Sequence, residues 1–217
     1  MSNAVSSKTN KPDFSAKIQN HRLLQKRHEQ IVEAASALFS RKGYHMTTMR
    51  NISEACGISL AQLYHYINTK DDILYLFYES IYKRLVPIYD AVELVQSENP
   101  LAQLKTLIFS QLQLINESGD KFLTMYTESR HLKKSSLKAV LASEAELVER
   151  LEGIIKQGIA DGLFKECDTW MVANIIQYLL MIEPLRGWNT KSHYSFSDFS
   201  NSLIRFIMNM LGAEDQP

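Results

Sequence analysis

Apolar residues recur along this chain at spacings of three and four from Ile31 to Leu211, and only eight Gly and five Pro interrupt its 217 residues. Such spacing puts one apolar face on a helix, and so few turn formers do not suffice for a barrel or sandwich of many short strands. The stripe Ile31, Ala34, Ala35, Leu38 and Phe39 predicts a first helix that stops at Gly43. Thr47 and Thr48 can cap a second with Met49, Ile52 and Ala55 inward, and Ser59 a third with Leu60, Leu63 and Tyr64. Thr69 opens a long helix that Pro87 is expected to kink. Helices follow over Leu101 to Asn116, over Phe122 to His131 and from Leu137 to Gly162, then one from Asp168 to Pro184 and a last one opened by Ser197. The expectation is an all-α fold of about nine helices.

Cys56 and Cys167 cannot build a disulfide scaffold, and neither lies in a CxxC or Cys/His pattern, so no metal and no cofactor are expected. No window approaches ~18 uninterrupted apolar residues, and the opening MSNAVSSKTNKPDF lacks the apolar core of a signal peptide. The expected compartment is the reduced cytoplasm, with no membrane partner.

Charge is divided along the chain. Up to Lys70 there are ten cations (Lys8, Lys11, Lys17, Arg22, Lys26, Arg27, Arg41, Lys42, Arg50, Lys70) against four acids (Asp13, Glu29, Glu33, Glu54). Of the 24 residues of each sign, fourteen cations and twenty acids remain for the rest. A small basic module that meets phosphates, attached to an acidic body, has this asymmetry. Three parts follow: a flexible basic tail over 1–20, a small basic domain over 21–68 suited to DNA, and a larger acidic body over 69–217 joined through the linker helix.

The segment TTMRNISEACGISLAQLYHY, residues 47–66, reads as helix, Gly-containing turn and helix, the arrangement that lays its second helix in the DNA major groove. Ser59, Gln62, Tyr64 and His65 form the open face of that second helix, and no acid interrupts it. Gln suits a bidentate contact to adenine. Residues 26–74 as a whole resemble the DNA-binding domain of the TetR/AcrR family of transcriptional regulators. The markers are the Ile31 to Phe39 stripe, Lys42-Gly43-Tyr44, Thr47-Thr48, Ile52, Ala55, Gly57-Ile58-Ser59, Leu63-Tyr64, Tyr66 and Lys70.

The resemblance implies that Thr48 anchors the second helix to a phosphate, that Tyr64 and Lys70 clamp the backbone, and that Tyr66 stands beside them. With Thr47, Arg50, Ser59, Leu60, Ala61, Gln62 and His65 these make up the expected DNA interface. Leu60, Ala61 and Gln62 stand where many members have Lys, Gly and Thr, and Asn68 where Pro is frequent. Tyr64 and Tyr66 are equally suited to core packing.

The resemblance further implies a ligand-binding and dimerisation domain over 69–217, a homodimer formed through the last two helices, a palindromic double-stranded DNA operator, repression relieved by a small-molecule effector, and a place at the nucleoid. The segments FLTMYTESRHL, IIKQGIADGLF and EPLRGWNTKSHYSFSDF are similar to the acyl-CoA-responsive subset, which sets Arg186 and Trp188 beside the pocket. Those two also suit a helix cap and a surface anchor. Arg130, in the basic cluster with His131, Lys133, Lys134 and Lys138, could meet CoA phosphates, and Phe109, Met125, Tyr126 and Met181 could line an apolar cavity or serve as ordinary core.

Two other classes compete. Glu128-Ser129-Arg130-His131 is half of a di-iron Glu-x-x-His pattern, but a bundle enzyme needs a second copy, which the sequence lacks. No catalytic residue is expected. A helical protein-interaction adaptor would use the same apolar faces without binding DNA.

Overall fold

The structure is a computed structural model that describes residues 21–94 and 99–213; the expected tail, 1–20, lies outside the described residues. Among the latter there are ten α-helices and no strand. They are α1 (His21–Lys42), α2 (Met49–Ala55), α3 (Leu60–Tyr66), α4 (Lys70–Leu94), α5 (Pro100–Glu117), α6 (Gly119–Glu128), α7 (Lys134–Ala160), α8 (Thr169–Leu180), α9 (Ile182–Thr190) and α10 (Phe196–Met210), with a single 3-10 turn at Ser129–His131.

The tenth helix comes from Pro184. Sequence reasoning ends a helix there, whereas the break falls at Met181 and Pro184 sits in the first turn of α9. A proline there costs little, because its missing N–H would have no helical acceptor in any case. Arg186, with φ −128°, marks a kink inside α9. The last helix is capped by Ser195, whose hydroxyl accepts from the Asp198 N–H, rather than opened by Ser197. α4 continues through Pro87.

The chain divides into two compact units. One holds the described residues up to Ser80 together with Thr124–Ser143; the other holds Ile81–Leu123 and the residues from Glu144 onward. The division falls inside α4, α6 and α7.

In the first unit, α1, α2 and α3 pack on one another. The α1 stripe is buried as its spacing requires, with Ile31, Ala35, Leu38 and Phe39 inward beside Ile52 of α2 and Leu63 of α3. In the second unit α5 packs against α8, α9 and α10. Leu104, Leu107, Ile108, Ile155, Ile176 and Ile207 supply its core. Tyr89 is fully buried there, and its hydroxyl is satisfied by the Gln177 amide, which donates at 2.5 Å. Arg150 closes the same region by donating to both Asp90 and Glu93, at 2.7 and 2.6 Å.

The end of α7 leaves no room for a side chain at Gly158. A Cβ there would lie 2.1 Å from the ring of Phe164, which is itself buried. The ring reaches that place because the Leu163 and Phe164 N–H groups both donate to the Gly158 carbonyl, folding the chain back onto the helix it has just left. Gly158→Ala is expected to destabilise the protein by about 1–3 kcal/mol through overpacking, despite the higher helix propensity of Ala. Urea unfolding followed by circular dichroism measures it.

Candidate nucleic-acid interface

Two reciprocal caps fix the helices of the 47–66 segment. The Thr48 hydroxyl accepts from the Asn51 N–H at 3.2 Å while the Asn51 side chain accepts from the Thr48 N–H at 3.1 Å, which starts α2. Ser59 and Gln62 repeat the pattern at the start of α3, at 3.1 and 2.9 Å. Between them the chain turns on Gly57, at φ +67°, a conformation that costs a residue with Cβ far more than it costs glycine. The Gly57 N–H donates to Glu54 and the Ile58 N–H to Ser53, pairing the last carbonyls of α2. Gln30 of α1 closes the end of α2 by donating to the Cys56 carbonyl at 2.7 Å.

α3 is anchored by Leu63, which is fully buried, and its other side faces solvent. Ala61, Gln62, Tyr64 and His65 are exposed, as are Thr48, Arg50 and Ser59. Leu60 and Tyr66 are half-buried, the Tyr66 ring meeting His65 edge-on at 5.4 Å between centroids. Donors, acceptors and a cation thus stand on one open surface at the N-termini of two short helices, where free N–H groups favour phosphate. The Gln62 carbonyl oxygen already holds the Ser59 N–H, so a bidentate contact to adenine requires that bond to be given up or shared.

Two of the expected contact residues are turned inward. Thr47 is 1% exposed, and its hydroxyl donates to the Gly43 carbonyl at 2.8 Å. Lys70 directs its ammonium at the carbonyls of Tyr44 at 2.7 Å, Thr47 at 2.9 Å and His45 at 3.5 Å, and lies 4.1 Å from the centre of the Tyr44 ring. Desolvation lowers the pKa of Lys70, while Asp71 and Glu128 act in the opposite direction. Tyr44 is buried, its hydroxyl donates to Asp71, and burial followed by that carboxylate raises its pKa well beyond the ordinary phenol range. Both Thr47 and Lys70 therefore build the turn that delivers Thr48 rather than reach outward.

The residues proposed for an effector do not gather in one unit. Met125, Tyr126 and Arg130 belong to the first, and Phe109, Met181, Arg186 and Trp188 to the second. The Arg186 guanidinium stacks over the Trp188 ring at 5.6 Å, and that indole is 78% exposed. Phe109 lines an open groove of about 500 Å³ with Lys105, Thr106, Asn201, Ile204 and Arg205. Lys133 of the basic cluster is engaged elsewhere: it donates to Asp72 at 2.9 Å and to Thr69 at 3.0 Å, at the capped start of α4. Sequence reasoning missed this pairing because 61 residues separate the partners.

Apolar side chains remain exposed on the last helices. Met171, Ile175 and Tyr178 form a stripe on α8, and Phe206 stands out on α10. No helix of the described residues is long and apolar enough to cross a membrane.

A three-helix head with a twice-capped helix-turn-helix, in one chain with an acidic helical body, defines a DNA-binding transcriptional regulator. The model of "Bacterial regulatory proteins, tetR family" matches residues 31–75, and that of "Tetracyclin repressor-like, C-terminal domain" matches 97–191. The chain belongs to the tetR family of transcriptional regulators. It is 22% identical over 181 residues to the HTH-type transcriptional regulator HbdR of Aromatoleum sp. (strain CIB), covering 82% of this chain and 77% of that one. To the HTH-type transcriptional repressor KstR2 of Rhodococcus jostii (strain RHA1) it is 26% identical over 144 residues, covering 64% and 68%. Its fold matches the crystal structure of AibR in complex with isovaleryl coenzyme A and operator DNA with a TM-score of 0.74 at 19% identity, over 83% of this chain and 97% of that one. These relatives are regulators and not enzymes.

Removing the Lys70 ammonium takes a donor from the Thr47 carbonyl and leaves the Tyr44 carbonyl with the Thr47 N–H alone. Lys70→Ala is expected to cost about 1–3 kcal/mol in urea unfolding, with amide hydrogen exchange accelerating first across Gly43–Asn51.

Proposed function

We propose that this protein is a repressor that binds a palindromic operator as a homodimer and is released by a small-molecule effector, an acyl-CoA thioester. The observation that carries the DNA-binding part is the exposed face of α3, with Ser59, Ala61, Gln62, Tyr64 and His65 open beside Thr48 and Arg50. Thr48, Arg50, Tyr64 and His65 meet phosphate or sugar, while Gln62 with Leu60 and Ala61 faces base edges. Tyr66 supports His65 from behind.

The exposed stripe Met171, Ile175 and Tyr178 on α8, with Phe206 on α10, supports dimerisation through these helices. A two-fold axis between subunits sets two recognition helices toward successive major grooves, so the operator is a palindrome with half-sites about one helical turn apart. The repressor sign follows KstR2, a named repressor, and the acyl-CoA reading follows AibR, whose structure holds isovaleryl coenzyme A. For the effector, Arg186 and Trp188 remain the residues of choice, with Phe109 and Met181 in the same unit. The effector acts only by as much as it prefers the conformation that does not fit the operator.

Selection of bound fragments from random DNA, followed by anisotropy titrations at several salt concentrations, tests the reading. Arg50→Ala is expected to weaken binding to all sequences and to lower the salt slope by about 1. Gln62→Glu retains the reciprocal cap at Ser59 but loses the amide donor, so it is expected to change the preferred half-site without loss of stability. Native mass spectrometry with a panel of acyl-CoAs tests the other part: a dimer that takes up one acyl-CoA per chain supports it, and a monomer or a dimer that ignores the panel overturns it.

A further inference from the structure

We infer that His45, Glu128 and His131 form a binding site for a late first-row divalent metal ion. His45 belongs to the turn between α1 and α2, Glu128 ends α6, and His131 ends the 3-10 turn; all three lie in the first compact unit. One ligand atom from each falls within 4.8 Å of the others. The His45 and His131 Nε2 atoms are 2.9 Å apart, and Glu128 Oε2 is 3.5 Å from His131 Nε2. Ligand atoms about 2.0–2.1 Å from a tetrahedral zinc stand roughly 3.3 Å from one another, so small side-chain adjustments suffice.

The protonation pattern favours a cation. Arg130 Nε, 3.2 Å from His131 Nε2, can only donate, so His131 presents its lone pair at that nitrogen. His45 Nε2 must then direct a proton into the same lone pair, and Glu128 Oε2 is left buried without a hydrogen-bond partner. Two imidazoles and a carboxylate oxygen thus converge with too few protons among them. A divalent ion accepts all three lone pairs at once: His45 moves its proton to its other ring nitrogen, Arg130 swings away, and no proton is released. Two imidazoles and one carboxylate are ligands that zinc and its neighbours take, and water supplies a fourth position.

The frame is rigid where ligand sites need it. The Tyr44 ring stacks on His131 at 5.3 Å and 12°, His45 stands edge-on to His131 at 4.2 Å, and the Tyr44 and His45 carbonyls are held by Lys70. The Glu128 and His131 side chains are 17% and 23% exposed, while His45 is open to solvent and gives the ion its entry. Sequence analysis expects no metal because Glu128-x-x-His131 has no second copy; the residue that joins the pair here, His45, comes from 86 residues before His131. Occupancy joins the turn that leads into Thr48 to the end of α6. Any effect on operator affinity rests on the DNA-binding reading above, whereas the site itself does not.

Cobalt(II) titration of the untagged, chelator-treated full-length protein, read by visible d–d absorption, with zinc(II) followed by calorimetry, tests the site. One ion per chain is expected, with a rise in melting temperature on adding zinc. His45→Gln and Glu128→Gln each remove a direct ligand and are expected to weaken binding beyond the roughly 10- to 100-fold loss typical of an outer-shell partner. His45 is exposed and Glu128→Gln keeps the side-chain size, so both variants are expected to fold, which unchanged circular dichroism checks. Absence of stoichiometric binding by the wild type, or binding and thermal stabilisation that persist in folded His45→Gln and Glu128→Gln, overturns the inference.

Discussion

The head depends on where one ammonium group is placed. Lys70 opens α4, yet its charge is spent across the chain on the carbonyls of Tyr44, His45 and Thr47, with the ammonium over the Tyr44 ring. Those carbonyls belong to the short link between α1 and α2, which no helix satisfies. Tyr44 completes the arrangement by donating to Asp71, the neighbour of Lys70. The link is thereby set from α4, and Thr48 leaves it at the angle its cap with Asn51 requires. Everything α3 can offer to DNA is positioned by way of that turn, since α2 and α3 are joined rigidly through Gly57 and packed through Ile52 and Leu63.

Local signals were readable in the sequence to the extent that local physics governs them. The α1 stripe, the Ser59 cap, the Asp168 cap and the Gly57 turn all follow from spacing and side-chain chemistry within a few residues, and all are present. Pro184 misled because proline breaks a helix interior but is welcome in a first turn, and the choice depends on whether the preceding residue already ends a helix. Thr47 looked like Thr48, and only the fold separates the buried hydroxyl from the capping one.

Long-range pairings were not readable. Lys133 stood in a basic cluster that could meet CoA phosphates, yet it closes the start of α4 by binding Asp72, which is 5% exposed. His131 stood in the basic cluster and in an unmatched Glu-x-x-His pattern, yet it meets His45 and Tyr44. The family resemblance made Lys70 a phosphate clamp; its donors go to the backbone oxygens of Tyr44, His45 and Thr47 in the link between α1 and α2. In each case sequence shows the residue type, while the partner is chosen by packing among segments far apart in the chain.

The membership of Thr124–Ser143 in the head has an evolutionary corollary. A domain made of two separated stretches cannot be exchanged between proteins by a single crossover placed after the reading helix. Recombination that brings in a foreign residue 21–80 segment leaves behind the native Lys133 for Asp72 and the native Met125 carbonyl for the Tyr78 hydroxyl. New operator preferences are therefore reached more readily by changing side chains on the open face of α3, where Ala61, Tyr64 and His65 are exposed while Leu63 is buried.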